Sequence, residues 1–243
     1  NEIKSNDRVI GGINTSSAIA AKEFYSKFSF GEYSLTNSKT AELVKLTENS
    51  YRDVNIAFAN ELSMICSEFD IDPQCLIKIA NCHPRVNILK PGPGVGGHCI
   101  AVDPWFIVSK TPNLSTLIRT AREVNIKKTK WVNNKIKSSS AIFESENKRK
   151  PLIGCFGVTF KPDVDDIRES AAIKIIKELN SQNFNIICCD PLVKTLEGLR
   201  FESYDQLIKT CDICVFLVAH TKFKNLKIKK SQFLDFCGVT ANS

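Results

Sequence analysis

The sequence has no run of ~18 apolar residues, the length that a membrane-crossing helix needs, so no membrane span is expected. No apolar core follows the opening Asn1-Glu2-Ile3-Lys4, so the start does not read as a secretory leader. There is no initiator methionine, which reads as a fragment or a processed product. The C-x-x-C formed by Cys211 and Cys214 has no second pair, and structural zinc takes four ligands, so no metal site is expected. No nucleic-acid-binding motif accompanies the formal net charge of +7. Lysines cluster at Lys127, Lys128 and Lys130 and at Lys222, Lys224, Lys227, Lys229 and Lys230. They could serve an anionic small ligand or nucleic acid, or simply coat a solvated surface.

What is there suits a soluble globular protein of one or two domains: 243 residues, 43% hydrophobic and 24% charged. Ten cysteines sit mostly in apolar, strand-like contexts such as Ile187-Cys188-Cys189. That is the pattern of free thiols in a reducing compartment, and it points to a cytoplasmic protein.

Three parts follow one another along the chain. Residues 1–38 read as a strand ending in glycines at Val9-Ile10-Gly11-Gly12-Ile13, a helix capped near Asn14 and running to about Phe28, and a strand at Tyr33-Ser34-Leu35. Three such elements need a sheet to join. Residues 39–150 read as all-helical. A long helix runs from Ser38 to about Phe69, a short one from Asp72 to Asn81, and a second long one from Asn113 to about Glu144, with Leu114, Leu117, Ile118 and Ala121 opening its apolar side. The first long helix carries Lys45, Asn49, Arg52, Ile56 and Asn60 at steps of four, three, four and four, which places them on one stripe. Residues 151–243 alternate strands and helices, with strands at 152–159, 185–189, 213–219 and 233–236 and helices at 170–180 and 204–210. The expected fold class is therefore α/β: a helical middle domain, then a small doubly wound parallel sheet. Ligands bind such sheets beyond the carboxyl ends of their strands. Here that edge carries Gly157, Phe160, Lys161, Asp163, Asp165, Asp166, Arg168 and His220.

Between the helices lies the densest stretch of glycine and proline, Lys90 to Phe106. Gly92, Gly94 and Gly97 match G-x-G-x-x-G, but a dinucleotide fingerprint opens a helix inside a β-α-β unit, and this stretch instead joins helical segments. Its glycines suit a loop whose backbone lies close to a ligand. Cys99 stands in that loop beside His98, with Asp103 four residues on. Backbone N–H groups there can stabilise a thiolate or an oxyanion, so Cys99 reads as a nucleophile for acyl-type chemistry. Lys161 and Arg168 flank three aspartates; they could clamp a diphosphate or form a surface salt-bridge cluster.

The run Gly92-Pro93-Gly94-Val95-Gly96-Gly97-His98-Cys99-Ile100-Ala101-Val102-Asp103-Pro104-Trp105-Phe106 resembles the catalytic loop of the UDP-glucose/GDP-mannose dehydrogenase family. Ala41 to Leu62, Asn81 to Asn87 and Gly154 to Ser170 resemble the family's central helix, its substrate loop and the start of its C-terminal domain. The His-Cys-Ile-Ala-Val-Asp-Pro-Trp form is similar to the branch acting on UDP-N-acetylmannosamine rather than to the UDP-glucose branch. The resemblance implies two oxidations of a sugar C6 hydroxyl with NAD as cofactor, within bacterial surface polysaccharide synthesis. It implies Cys99 as nucleophile, forming a thiohemiacetal and then a thioester. Lys45 would move a proton and steady the oxyanion, while Asn49 and Asp103 help hold the water and Lys45. Arg52, His83, Arg85, Gly96 and Lys161 would contact the UDP-sugar, with Arg85 reaching from a partner subunit, and Arg168 would reach NAD. A homodimer through the central helices is also implied.

Two departures accompany the resemblance. Residues 1–38 correspond to the end of an NAD-binding domain whose glycine fingerprint is not in this chain, and Cys237 stands where some relatives carry a basic residue before the glycine matching Gly238. A UDP-sugar-binding and dimerising module without activity of its own is the competing reading. A cysteine hydrolase pairing Cys99 with His83 or His98 is a third, and it needs a spatial pairing that spacing does not supply.

Overall fold

A computed structural model describes residues 2–224 and 233–239. The chain divides into two compact units, Asn1–Tyr51 and Arg52–Ser243.

The first unit begins with a single turn, α1 (Glu2–Ser5), followed by β1 (Arg8–Gly12), α2 (Thr15–Tyr25) and β2 (Tyr33–Asn37). The strands are parallel, with Arg8 opposite Tyr33 and Gly12 opposite Asn37. Asn14 starts α2 with a reciprocal cap: its side chain accepts from the Ser17 N–H, and the Ser17 hydroxyl accepts from the Asn14 N–H. Asn37 ends β2 and accepts from the Thr40 N–H, so the chain turns at once into α3 (Ser38–Glu68). The first turn of α3 lies so close to β1 that a Cβ on Gly11 would stand 2.6 Å from the Ala41 Cβ. The helix expected to reach Phe28 stops at Tyr25, where the Ser26 N–H bonds Lys22 O and Phe24 O.

The second unit holds the rest of α3, then α4 (Pro73–Ala80), α5 (Asp103–Lys110) and α6 (Thr116–Asn147). Asp72 caps α4 through the Gln74 N–H, with Pro73 in the first turn. A parallel sheet follows, from β3 (Leu152–Phe156), β4 (Asn185–Cys189), β5 (Ile213–Phe216) and β6 (Phe233–Asp235), in the order β4-β3-β5-β6. α7 (Ala171–Ser181) and α8 (Tyr204–Thr210) make the crossovers. Alternate strand residues feed two cores. Ile153, Cys155, Ile186, Cys188 and Val215 pack with Ile173, Ile176 and Leu179 of α7 and with Val132 and Ile136 of α6. Phe156, Ile187, Cys189, Cys214 and Phe216 pack with Leu207 of α8 and with Phe223. A sheet covered on both faces needs apolar residues at every strand position, and that is why these strands read as continuous apolar runs.

The α/β expectation is met, with three local differences. α5 lies within a stretch that reads as loop, because Asp103-Pro104 supplies an acidic first turn and a proline at its opening. α6 begins at Thr116, after Ser115, and leaves Leu114 and Leu117 exposed, although both fall on the expected apolar side. β3 and β5 end at Phe156 and Phe216, short of the expected Thr159 and Ala219. No helix of the described residues is long and apolar enough to cross a membrane.

Candidate active site around Cys99

The loop before α5 hangs on a buried polar network. Asp53, at 0% exposure, accepts from Arg122 Nη1 at 2.5 Å and from Asn125 Nδ2 at 2.8 Å. Asn60 Nδ2 donates to Asn125 Oδ1 at 2.8 Å, and Asn60 Oδ1 accepts from the Gly92 N–H at 2.8 Å. Thr129 Oγ1 donates to Pro93 O at 3.1 Å. Burial pushes the Asp53 carboxyl up, and the Arg122 guanidinium opposes that push. Asp53 Oδ2 and Arg122 Nε have no partner, so the pair is fixed by geometry more than by full satisfaction. Arg122, Asn125 and Lys128 recur every three residues along α6 and are all buried. That polar line on a core face was the available sequence signal for this network, and it was missed. The Lys127–Lys130 cluster is therefore no single surface patch: Lys128 turns inward, donates to Ser63 Oγ at 2.7 Å and stacks its ammonium 4.0 Å from the Trp131 ring. Burial brings its pKa down to about 7. In the other cluster, Lys227, Lys229 and Lys230 lie outside the described residues.

The loop then crosses the turn after β3. Gly97 takes φ +82 and donates its N–H to Arg168 O at 3.2 Å. A Cβ on Gly96 would stand 2.8 Å from Glu169 O and 3.0 Å from the Phe160 Cβ. These glycines allow close approach, though here of protein backbone as much as of any ligand. Past them, His98 and Cys99 are exposed, and Cys99 Sγ lies 3.0 Å from His98 Nδ1. The Cys99 carbonyl accepts from the N–H groups of Val102 and Asp103, which carries the chain into α5. Arg168 grips Asp166 through Nε and Nη2, at 3.0 and 2.6 Å. That grip, with Arg168 foremost and His98 adding to it, holds the Asp166 carboxyl down at about 2. Asp166 chiefly, and Cys99 in addition, raise the Arg168 pKa, so the guanidinium stands within electrostatic reach of the thiol. The folded chain thus gathers Gly96, Gly97, His98, Cys99, Phe160, Asp166 and Arg168.

The remaining expected residues are distributed more widely. Lys45 and Asn49 belong to the first unit. Lys45 is exposed and pairs with Glu48 at 3.2 Å, while Asn49 is buried. Arg52 is an exposed residue of α3. His83 and Arg85 form an exposed turn after α4, where the Arg85 N–H donates to His83 Nδ1 at 3.3 Å. Asn81 clasps the next stretch by bonding both the N–H and the carbonyl of Ile88. Lys161 is exposed, with its ammonium 5.5 Å from the Phe160 ring. Between the two readings of the Lys161–Arg168 segment, Arg168 is committed to Asp166 and Lys161 is not.

At the strand ends Thr159, Asp190 and His220 face one another instead of solvent. Asp190, after β4, accepts from the Val158, Leu192 and Val193 N–H groups. His220 is fully buried; its Nε2 lies 3.1 Å from Asp190 Oδ2 and from Thr159 Oγ1, and its Nδ1 accepts from the Asp163 N–H. These bonds hold the Asp190 carboxyl below its usual range, against the upward push of burial. Cys237 is buried, and Asp235 Oδ1 accepts from the N–H groups of Cys237 and Gly238, so position 237 faces the core here. Among the described residues no cluster of histidine, cysteine or acid could hold a metal ion.

Comparison with known proteins adds the following. Residues 39–127 match the profile of the UDP-glucose/GDP-mannose dehydrogenase family, central domain. Residues 154–240 match the same family's UDP binding domain. The UDP-N-acetyl-D-mannosamine dehydrogenase of Escherichia coli K12 is 51% identical over 233 residues, covering 92% of this chain and 55% of that protein. The NDP-N-acetyl-D-galactosaminuronic acid dehydrogenase of Ralstonia solanacearum is 47% identical over 236 residues, covering 95% and 55%. The solved UDP-N-acetyl-mannosamine dehydrogenase of Staphylococcus aureus superposes with a TM-score of 0.80 at 38% identity, covering 98% of this chain and 56% of that one. The chain spans about half the length of the curated relatives it matches.

Proposed function

Because the chain belongs to the UDP-glucose/GDP-mannose dehydrogenase family, we propose that it works in the NAD-dependent oxidation of UDP-N-acetyl-D-mannosamine to the C6 uronate, for bacterial surface polysaccharide synthesis. The observation that carries this reading is the exposed Cys99 thiol, 3.0 Å from His98 Nδ1, at the tip of a loop braced on Arg168. Cys99 Sγ adds to the C6 aldehyde as a thiohemiacetal, carries the acyl group as a thioester and yields it to water. His98 Nδ1 is placed to accept the thiol proton. Asp103 and Asn49 hold the water, and Lys45 moves the proton and steadies the oxyanion. Arg52, His83, Arg85, Gly96 and Lys161 take the UDP-sugar, with Lys161 free to meet a phosphate.

The Asp190 carboxylate after β4 is enclosed by three backbone N–H groups and His220, so it is not free to meet the ribose of a dinucleotide. The first unit fits better. The carboxyl ends of β1 and β2 open on a cleft of about 230 Å³, in which Gly12 and Thr36 would hold one edge of NAD. NAD, when bound, would accept the hydrides of both oxidations, and Arg168 would contact it. Residues 1–38, 39–150 and 151–243 correspond to the end of the NAD domain, the central domain and the UDP-sugar domain. Phe58 and Ile65 on α3 and Phe69 just after it stay exposed, which supports a homodimer through the central helices. Ten free cysteines support a cytoplasmic setting.

The test is NADH and uronate formation from UDP-N-acetylmannosamine, with UDP-N-acetylgalactosamine run alongside. Uronate from the manno substrate supports the reading; preference for the galacto substrate moves the chain to the other named relative's chemistry. Tight UDP-sugar binding with no turnover makes it a binding module instead.

A further inference from the structure

Cys211 and Cys214 make a C-x-x-C that neither a metal nor the proposed reaction uses. Cys211 ends α8, its N–H bonded to Leu207 O at 2.9 Å. Asp212 is locked in place: Arg149 grips its carboxylate at 2.6 and 2.8 Å, the Leu152 N–H donates to it, and its own N–H donates to Leu152 O. Cys214 follows in β5, opposite Gly154 of β3. That glycine makes room for the pair, since a Cβ there would stand 2.9 Å from Cys211 Sγ. The two sulfurs lie 3.3 Å apart. Cys211 is half-buried and reaches solvent, while Cys214 is 2% exposed.

We propose that Cys211 and Cys214 form an oxidisable dithiol, closed to a disulfide by peroxide. The backbone on both sides is held, so closing the sulfurs from 3.3 Å to a bond of about 2.05 Å is mainly a matter of side-chain rotation. Cys211 is the attacking thiol. The hydrogen bond between the two sulfurs holds the Cys211 pKa below the usual thiol range and pushes Cys214 up, and Cys211 is the one that reaches solvent. The Cys211 thiolate attacks one peroxide oxygen, the O–O bond breaks, hydroxide leaves, and Cys211 becomes a sulfenic acid. Cys214 Sγ then attacks Cys211 Sγ; the S–O bond breaks, and the Cys214 proton leaves with the hydroxyl as water. In sum, two thiols and one hydrogen peroxide give one disulfide and two waters.

The experiment treats the full chain with hydrogen peroxide, alkylates remaining thiols and maps tryptic peptides. Both cysteines fall in one peptide, residues 210–222. It should become lighter by two hydrogens about tenfold faster than the exposed but isolated Cys75 and Cys82 oxidise, resist alkylation, and recover with dithiothreitol. In Cys214→Ser, Cys211 should stop at a sulfenic acid that dimedone captures; in Cys211→Ser, Cys214 should stay reduced. The proposal is overturned if peptide 210–222 stays fully alkylatable while Cys99 is oxidised, or if Cys214 oxidises as fast without Cys211. The parent protein's peptide mass decides the matter even where a serine variant does not fold.

Discussion

The Cys99 loop and the strand ends around Asp190 both concentrate polar residues, and they use them in opposite ways. At the strand ends, His220, Asp190, Thr159 and Asp163 bond to one another and to backbone N–H groups, and His220 is fully buried. In the loop, the buried polar groups sit behind the proposed nucleophile: Asp53, Arg122, Asn125 and Asn60 fix Gly92, while Cys99 and His98 remain open. A polar cluster with its hydrogen bonds made rigidifies a fold; one with an exposed nucleophile at its end positions chemistry. Position at a sheet's carboxyl edge is therefore not enough to mark a site, because Asp190, Thr159 and His220 there are sealed by one another while Lys161 and Arg168 stay exposed.

Three substitutions separate the two regions, in falling order of effect. Cys99→Ala should reduce uronate formation by about 10³-fold or more with the melting temperature unchanged, as expected of a group that acts on the substrate. A similar loss of stability would place Cys99 with the structural cluster instead. Arg122→Ala should do the reverse of an active-site change. It strands Asp53 at 0% exposure, and removing one partner of a buried pair costs about 3–5 kcal/mol. Urea unfolding measures it, and a midpoint matching the parent's would detach the network from loop anchoring. Lys161→Ala is the smallest of the three: about tenfold weaker UDP-sugar binding by calorimetry, as for loss of one charge-assisted contact, with NAD affinity kept. Equal losses for both ligands would count against its contact with the diphosphate.

Lys128 gives a finer comparison through pH. Its folded pKa is lowered to about 7, against about 10.4 for an unfolded lysine. Between those values the unfolded chain binds more protons, so this group's contribution makes stability rise with pH from about 7 towards 10. Thermal unfolding across that window should slope upward, and Lys128→Met should flatten the slope. An unchanged slope in the variant would show that other groups set it.

Much of the α/β part was legible because its strands are apolar throughout and its helices amphipathic: β4 and α8 fall at their expected residues. α5 was missed because its eight residues follow a glycine-rich run, and only the Asp103-Pro104 opening marks it. Cys99 was legible as the one cysteine in a glycine loop. Its neighbours Asp166 and Arg168, sixty-odd residues further on, were legible as charges but not as neighbours of that thiol. Lys128 misled, because a lysine among lysines reads as surface, while only the packed helices reveal that it points at Ser63 and Trp131.

By itself the sequence determined what local physics controls: capped helices at Asn14 and Asp72, apolar strands, and a backbone-permissive loop carrying a cysteine. It also carried the likeness to a family, since that likeness is written in contiguous motifs. Only the tertiary structure decided which polar groups face inward. Asp53 and Arg122 are 69 residues apart, and His220 and Asp190 30 apart, so neither pairing has a local signature. Whether a charge is solvated, paired or aimed at a substrate depends on what folds against it, and that is fixed by packing between distant segments rather than by spacing along the chain.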